Sequence, residues 1–170
     1  PIGIFGGQLA QATGARQLFM TDVNPYRLKL ATRVIPDATV LNPQVDDVEG
    51  TILEATKGRG VDVVVELSGS APGIAQAFNI LAKGGRVSLV GLPSKPITLE
   101  MTSAIIYREA VVYGSTGRLM WDTWYKVDAL LDADRFDPMP VITHHFPLSA
   151  YEEALELTMS ANSGKVILTP

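Results

Sequence analysis

The sequence predicts an α/β fold: a doubly wound parallel sheet lacking its usual first strand, followed by a strand–helix–strand at the C-terminus. Three observations point there. Apolar β-branched runs alternate with stretches of helical periodicity, the pattern of βαβ units. The run Val61-Asp-Val-Val-Val-Glu66 is nearly continuous, as suits a parallel strand covered on both faces. And the chain opens on a helical pattern, where a doubly wound sheet should open on a strand.

Taken in order, residues 2–13 read as a helix with Ile2, Phe5, Leu9 and Ala12 on one face, ended by Gly14. Residues 17–22 form a short strand. Asn24-Pro25 starts the next helix: asparagine caps free N–H groups, and proline at the first helical position loses nothing by lacking its own. That helix runs to about Val34, where Pro36 stops it. A brief strand at 39–41 precedes a helix with Val48, Ile52 and Ala55 on one face, and then comes the strand at 61–66. After Ser68-Gly69, Ile74, Ala77, Phe78 and Leu81 repeat at helical spacing, and Gly84-Gly85 turn the chain into a strand at 86–90. A loop with Pro93 and Pro96, a short helix and a strand at 110–113 follow.

The rhythm changes near Gly117. A helix over 120–133 is expected to bury Met120, Trp124, Val127 and Leu131. A polar link (134–140) leads to a strand at 141–146, a helix carrying Ala154, Leu155 and Met159, and a strand at 165–168. Residues 1–118 thus read as one sheet domain and 119–170 as an extension of it.

Composition narrows the function. Of 170 residues 46% are hydrophobic and 19% charged, with a net charge of −4, which excludes a disordered chain. Without clusters of Lys and Arg, neither a nucleic acid nor an anionic membrane is an expected partner. No apolar run reaches the ~18–20 residues that span a bilayer, and no signal peptide opens the chain. The absence of cysteine excludes disulfides, zinc–thiolate sites and thiol catalysis within these residues. The expected compartment is the cytoplasm. Because Pro1 stands where Met would, upstream residues are expected.

Candidate site residues lie where a doubly wound sheet binds ligands, beyond the carboxyl ends of its strands. Gly3 falls in the first turn of a helix, and Asp22 follows 19 residues later at the end of the next strand. That spacing suits an acidic residue on an adenosine ribose, which would also repel a 2′-phosphate and favour NAD over NADP. The other reading makes Gly3 a packing glycine and Asp22 a solvated strand end. Arg27 lies along an adenine or ribose, or pairs with Asp22 or Glu66. Ser68-Gly69, Gly91 and Ser115-Thr116-Gly117 sit beyond three successive strand ends, as turn punctuation singly and as a ligand crevice together. His144 and His145 are adjacent on a strand, so they face opposite ways and cannot readily share a metal. No Ser-His-Asp arrangement or nucleophile elbow is present, and Asp46, Asp47, Glu152 and Glu153 read as solvated.

Several stretches together resemble the zinc-dependent medium-chain dehydrogenases, and within them the L-threonine 3-dehydrogenase branch. They are Pro1-Ile-Gly3, Thr21-Asp-Val-Asn-Pro-Tyr-Arg27, Val61 to Gly69, Gly84-Gly-Arg-Val87 and Gly114-Ser-Thr-Gly-Arg118. Thr123-Trp-Tyr-Lys126, Ile142-Thr-His144 with Phe146, and Ser163-Gly-Lys-Val-Ile-Leu168 complete the set, so the likeness runs along essentially the whole chain.

The resemblance implies a Rossmann domain that binds NAD. Ile2 and Gly3 would lie against the pyrophosphate, and Asp22, with Arg27 beside it, would take the adenosine ribose. Ser68, Val90 and Leu92 would border the nicotinamide half, and Ser115 and Thr116 would reach its carboxamide and ribose through backbone groups. The activity implied is hydride transfer from L-threonine, or a related secondary alcohol or polyol, to NAD. The family's amino-terminal GroES-like half, with its zinc ligands and most of the substrate pocket, has no counterpart here, and neither does the first Rossmann strand. A smaller departure is Val34-Ile-Pro36, where relatives carry a helix-ending glycine.

The expectation is therefore a cofactor-binding half with no catalytic residue and no metal ligand of its own, inactive alone and homo-oligomeric through the edge at 110–113. The alternatives are a stand-alone nucleotide-binding or dimerisation module and a truncated gene product. In the strand order 3-2-1-4-5-6, losing strand 1 leaves the inner edges of 17–22 and 61–66 without ladder partners. Each buried backbone group left unsatisfied costs about 1–3 kcal/mol. The piece from Val141 onward would normally pack on the missing half and must find another partner.

Overall fold

The computed structural model describes residues 1–170. Every strand pairing in it is parallel. The chain divides into two compact units, residues 1–46 with 119–170, and residues 47–118.

In the first unit, helix α1 (Ile2–Ala12) leads to strand β1 (Phe19–Thr21), helix α2 (Pro25–Val34) and strand β2 (Thr39–Leu41). The ladder runs from Phe19 opposite Thr39 to Thr21 opposite Leu41. Both ends of α2 form as their residues dictate. The Asn24 side chain accepts the Arg27 N–H (3.1 Å), Pro25 opens the helix, and Ile35 caps it just before Pro36. The buried line of α1 is Ile4 and Gly7; Ile2, expected on that face, is exposed. Gly7 sets this rotation, because a Cβ there would stand 2.6 Å from Ile35 Cδ1 and 3.0 Å from Met20 Sδ.

The rest of this unit is helix α5 (Asp122–Asp132), strand β6 (Ile142–Pro147), helix α6 (Tyr151–Met159) and strand β7 (Lys165–Thr169), with β6 and β7 paired. Val141, fully buried, joins Ile4, Leu30, Ala31 and Ile35 in one core. Gln8 Nε2 donates to the Asp137 carbonyl (2.8 Å), Arg33 to that of Pro140 (3.3 Å), and Asn24 Nδ2 to that of Ala161 (3.2 Å). The C-terminal segment therefore finds a partner within its own chain. Helix α5 departs from expectation: it buries none of Met120, Trp124, Val127 or Leu131. Helical spacing identifies which face is apolar, not whether anything covers it.

In the second unit, helix α3 (Val48–Ala55) is followed by strand β3 (Val61–Glu66), helix α4 (Ala71–Asn79), strand β4 (Leu81–Leu89) and strand β5 (Val111–Gly114). The sheet order is β3-β4-β5, and a single helical turn, Thr102–Ile106, falls between its last two strands. Asp47, read as solvated, caps α3 by accepting the Gly50 N–H (2.9 Å) while staying exposed. Ile74, Ala77, Phe78, Leu81, Val87 and Ala104 form the core.

Two expectations change here. Leu81 opens β4 instead of closing the helix, and Gly84-Gly85 lie inside that strand. There the register slips, with Val61 opposite Leu81 and Val63 already opposite Arg86. Gly84 takes φ +73°, a conformation open to glycine at little cost. Strand β3, expected to be covered on both faces, is covered on one: Val64 and Glu66 point inward, while Val63 and Val65 are half exposed. The covered face is the one where Val64 packs on the core that Ile74, Ala77 and Phe78 of α4 supply.

No helix is long and apolar enough to cross a membrane.

Candidate functional site

In the first unit the candidate residues converge at the end of β1. The strand delivers Asp22, whose Oδ1 accepts the Asn24 N–H (2.9 Å), so the turn into α2 is pinned by the carboxylate itself. That carboxylate keeps acceptor capacity for a further donor. One turn into α2, Arg27 comes back toward it. Gly3, Asp22 and Arg27 line a common cavity of about 50 Å³ with Pro1 and Thr21. Ile4, Met20, Leu28, Ala31 and Val40 line the rest of it.

Arg27 Nε is buried there without a hydrogen-bond partner, and no ion pair joins Arg27 to Asp22. A buried guanidinium N–H with no acceptor is unusual, because its desolvation is not offset within the chain. The first turn of α1 adds to the same feature. Its N–H groups carry the positive end of the helix dipole, and no acidic side chain occupies that turn. Ile2 is exposed in that turn.

In the second unit the strand ends are organised by Glu66, a residue that sequence reasoning treated only as a possible partner for Arg27. It is 6% exposed. Its Oε1 accepts the Ser68 N–H (2.9 Å) and the Ser68 hydroxyl, and its Oε2 accepts the Gly69 N–H (3.0 Å). Its backbone carbonyl accepts the N–H groups of Val90 (2.9 Å) and Gly91 (3.0 Å).

The glycines here have a local reason. A Cβ on Gly69 would lie 2.7 Å from the Leu92 carbonyl carbon, and one on Gly91 would collide with the Gly69 backbone. The loops beyond β3 and β4 touch through their main chains. Ser68 and Leu92 face solvent, and Val90 is half-buried. Beyond β5, Ser115 donates its N–H to the Leu89 carbonyl (2.9 Å), and Ser115 and Thr116 are exposed. The signal for Glu66 was present: an acidic residue ends a β-branched run and is followed by Ser68, Gly69 and Ser70, small residues with free donors.

His144 is bonded to Thr143 Oγ1 (2.9 Å) and stacks on Phe146 with ring centroids 6.4 Å apart, while His145 is exposed. No group of three or more His, Asp or Glu side chains stands together so as to hold a metal ion, so these residues do not fit a zinc site. Asp22 offers an acceptor, Arg27 an unused donor, and the α1 terminus a positive field beside Gly3.

Comparison with known proteins places the fold and the family. Residues 1–133 match the family model described as zinc-binding dehydrogenase. L-threonine 3-dehydrogenase of Bacillus subtilis is 39% identical over 170 residues, covering all of this chain and 49% of its own length. An alcohol dehydrogenase of Thermotoga maritima superposes with a TM-score of 0.88 at 28% identity, over all of this chain and 47% of that one. A 2R,3R-butanediol dehydrogenase of Bacillus subtilis gives 0.89 at 25%, over all of this chain and 48% of that one. The chain spans about half the length of the curated relatives it matches. It belongs to the zinc-binding dehydrogenase family.

Proposed function

We propose that this chain is the NAD-binding part of an alcohol dehydrogenase whose substrate is L-threonine or a related secondary alcohol. The observation that carries the reading is Arg27 Nε, buried and unpartnered in a cavity that Asp22 and Gly3 also line. A bound NAD would supply a hydride acceptor for the alcohol carbon, the hydroxyl proton leaving to a base outside these residues. The chain's own residues bind and orient.

Asp22 accepts from the adenosine ribose hydroxyls, and its charge disfavours the 2′-phosphate of NADP. Arg27 supplies its free N–H to the same sugar. Ile2 and Gly3 present the first-turn N–H groups of α1 to the pyrophosphate. Ser68, Val90 and Leu92 border the nicotinamide end, and Ser115 and Thr116 reach it with main-chain groups. Residues 1–118 serve the cofactor and 119–170 extend that domain. The 170 residues alone are expected to give no turnover, because none of these groups would ligate a metal or take the proton from the alcohol oxygen; threonine oxidation by the purified chain would contradict this.

Chemical-shift mapping tests the reading. Added NADH should move the amide signals of Gly3, Asp22, Asn24 and Arg27. Shifts confined to other segments, α5 or β7 for example, would overturn it. Support for threonine as the substrate comes from the 39% identity to a threonine dehydrogenase, and the test is NADH formation in the longer protein with threonine against other secondary alcohols.

A further inference from the structure

We infer that Glu66 is a positioning residue for the nicotinamide end of the dinucleotide, an inference that rests on the NAD-binding reading above. A carboxylate 6% exposed and unpaired with any cation loses hydration that only hydrogen bonds can replace. Here they come from two backbone N–H groups and one hydroxyl, all in the loop that follows β3.

The network continues outward. Ser68 Oγ lies 2.9 Å from Ser70 Oγ, and Ser70 Oγ accepts the Gly73 N–H (3.1 Å) in the first turn of α4. The nine residues of α4 point their positive end at this cluster. Gly73 leaves the space it needs, since a Cβ there would stand 2.8 Å from both serine oxygens and 3.3 Å from Glu66 Oε1. Through its carbonyl, the same residue also holds the loop beyond β4 by Val90 and Gly91.

One side chain and its own peptide group therefore lock two loops together, and those loops carry Ser68, Val90 and Leu92. A hydrophobic core residue would not need three donors, and a solvated carboxylate would not need Gly73 and Gly91 to clear its path. Glutamine has the same shape as glutamate, yet one of its two terminal atoms is a donor. The Gly69 N–H, 3.0 Å from Oε2 and 3.2 Å from Oε1, then faces an N–H at the first position, keeps only the longer contact at the second, and loses the charge.

The test compares two ligands on the 170-residue chain and on Glu66→Gln. ADP-ribose has the adenosine and pyrophosphate but no nicotinamide; NADH has all three. In Glu66→Gln, NADH binding should weaken about tenfold, the scale of one charge-assisted hydrogen bond, with ADP-ribose binding unchanged. An equal loss for both ligands, or no loss for either, overturns the inference. Wild-type chain that binds NADH no more tightly than ADP-ribose overturns instead the assignment of a nicotinamide end to these loops.

Amide hydrogen exchange gives a second measurement that needs no variant. In the wild type the Ser68, Gly69 and Gly91 amides should exchange as slowly as those of β4. Exchange at the rate of an open loop contradicts the clamp.

Discussion

Asn24 holds two parts of the first unit at once. Its Oδ1 caps α2 through the Arg27 N–H, and its Nδ2 reaches the Ala161 carbonyl. Asn24→Ala removes both bonds and should lower stability by about 1–2 kcal/mol, read as a lower denaturant midpoint at unchanged slope. The neighbouring Asp22 makes a different prediction. Asp22→Asn keeps an oxygen for the Asn24 N–H but removes the charge, so the fold should survive. NADH binding should weaken about tenfold, and the preference over NADPH should shrink, as competitive titration would show. Gly164 is a third residue under constraint: a Cβ there would meet the Val141 carbonyl and Leu30 Cδ2 in the core. Gly164→Ala should destabilise by about 1–3 kcal/mol, the range for overpacking a filled site, seen as a drop in melting temperature.

At the scale of elements, β3 and α4 separate what periodicity can tell from what it cannot. Ile74, Ala77 and Phe78 were legible as one buried face because helical spacing and real burial coincide. Phe78→Ala should cost about 3–5 kcal/mol. Val65 sits in an equally apolar run but is half exposed, so Val65→Thr should change stability by less than about 0.5 kcal/mol. Equal losses for the two variants in chemical denaturation would contradict the observed faces. The same distinction explains α5, whose apolar residues were legible and whose exposure was not. The Asn24-Pro25 cap was readable from short-range chemistry, whereas Asp47, read as solvated, turned out to cap α3. The start of β4 was hidden because its first residues continue a helical spacing, and a left-handed glycine inside a strand leaves no mark on that pattern. At the candidate site, Asp22 and Gly3, picked out by their spacing, line one cavity. Glu66 was passed over because its signal lies in the donors of Ser68, Gly69 and Ser70 that follow it, the acid alone reading as any other strand end. Strand β5 adds a prediction of its own: its residues are all exposed at a sheet edge. An apolar edge of this kind favours pairing of two copies, so light scattering should give a dimer mass.

For the whole molecule, the family is established and the chain matches about half the length of its relatives. These 170 residues are expected to bind NAD and to select it through Asp22, and binding without turnover is the quantity to measure. Calorimetric titration of the chain with NADH, with NADPH as the control, tests it most directly. The account predicts saturable binding of NADH at one site per chain and markedly weaker binding of NADPH. A folded sample that releases no heat with NADH, or that binds both dinucleotides equally, would contradict it.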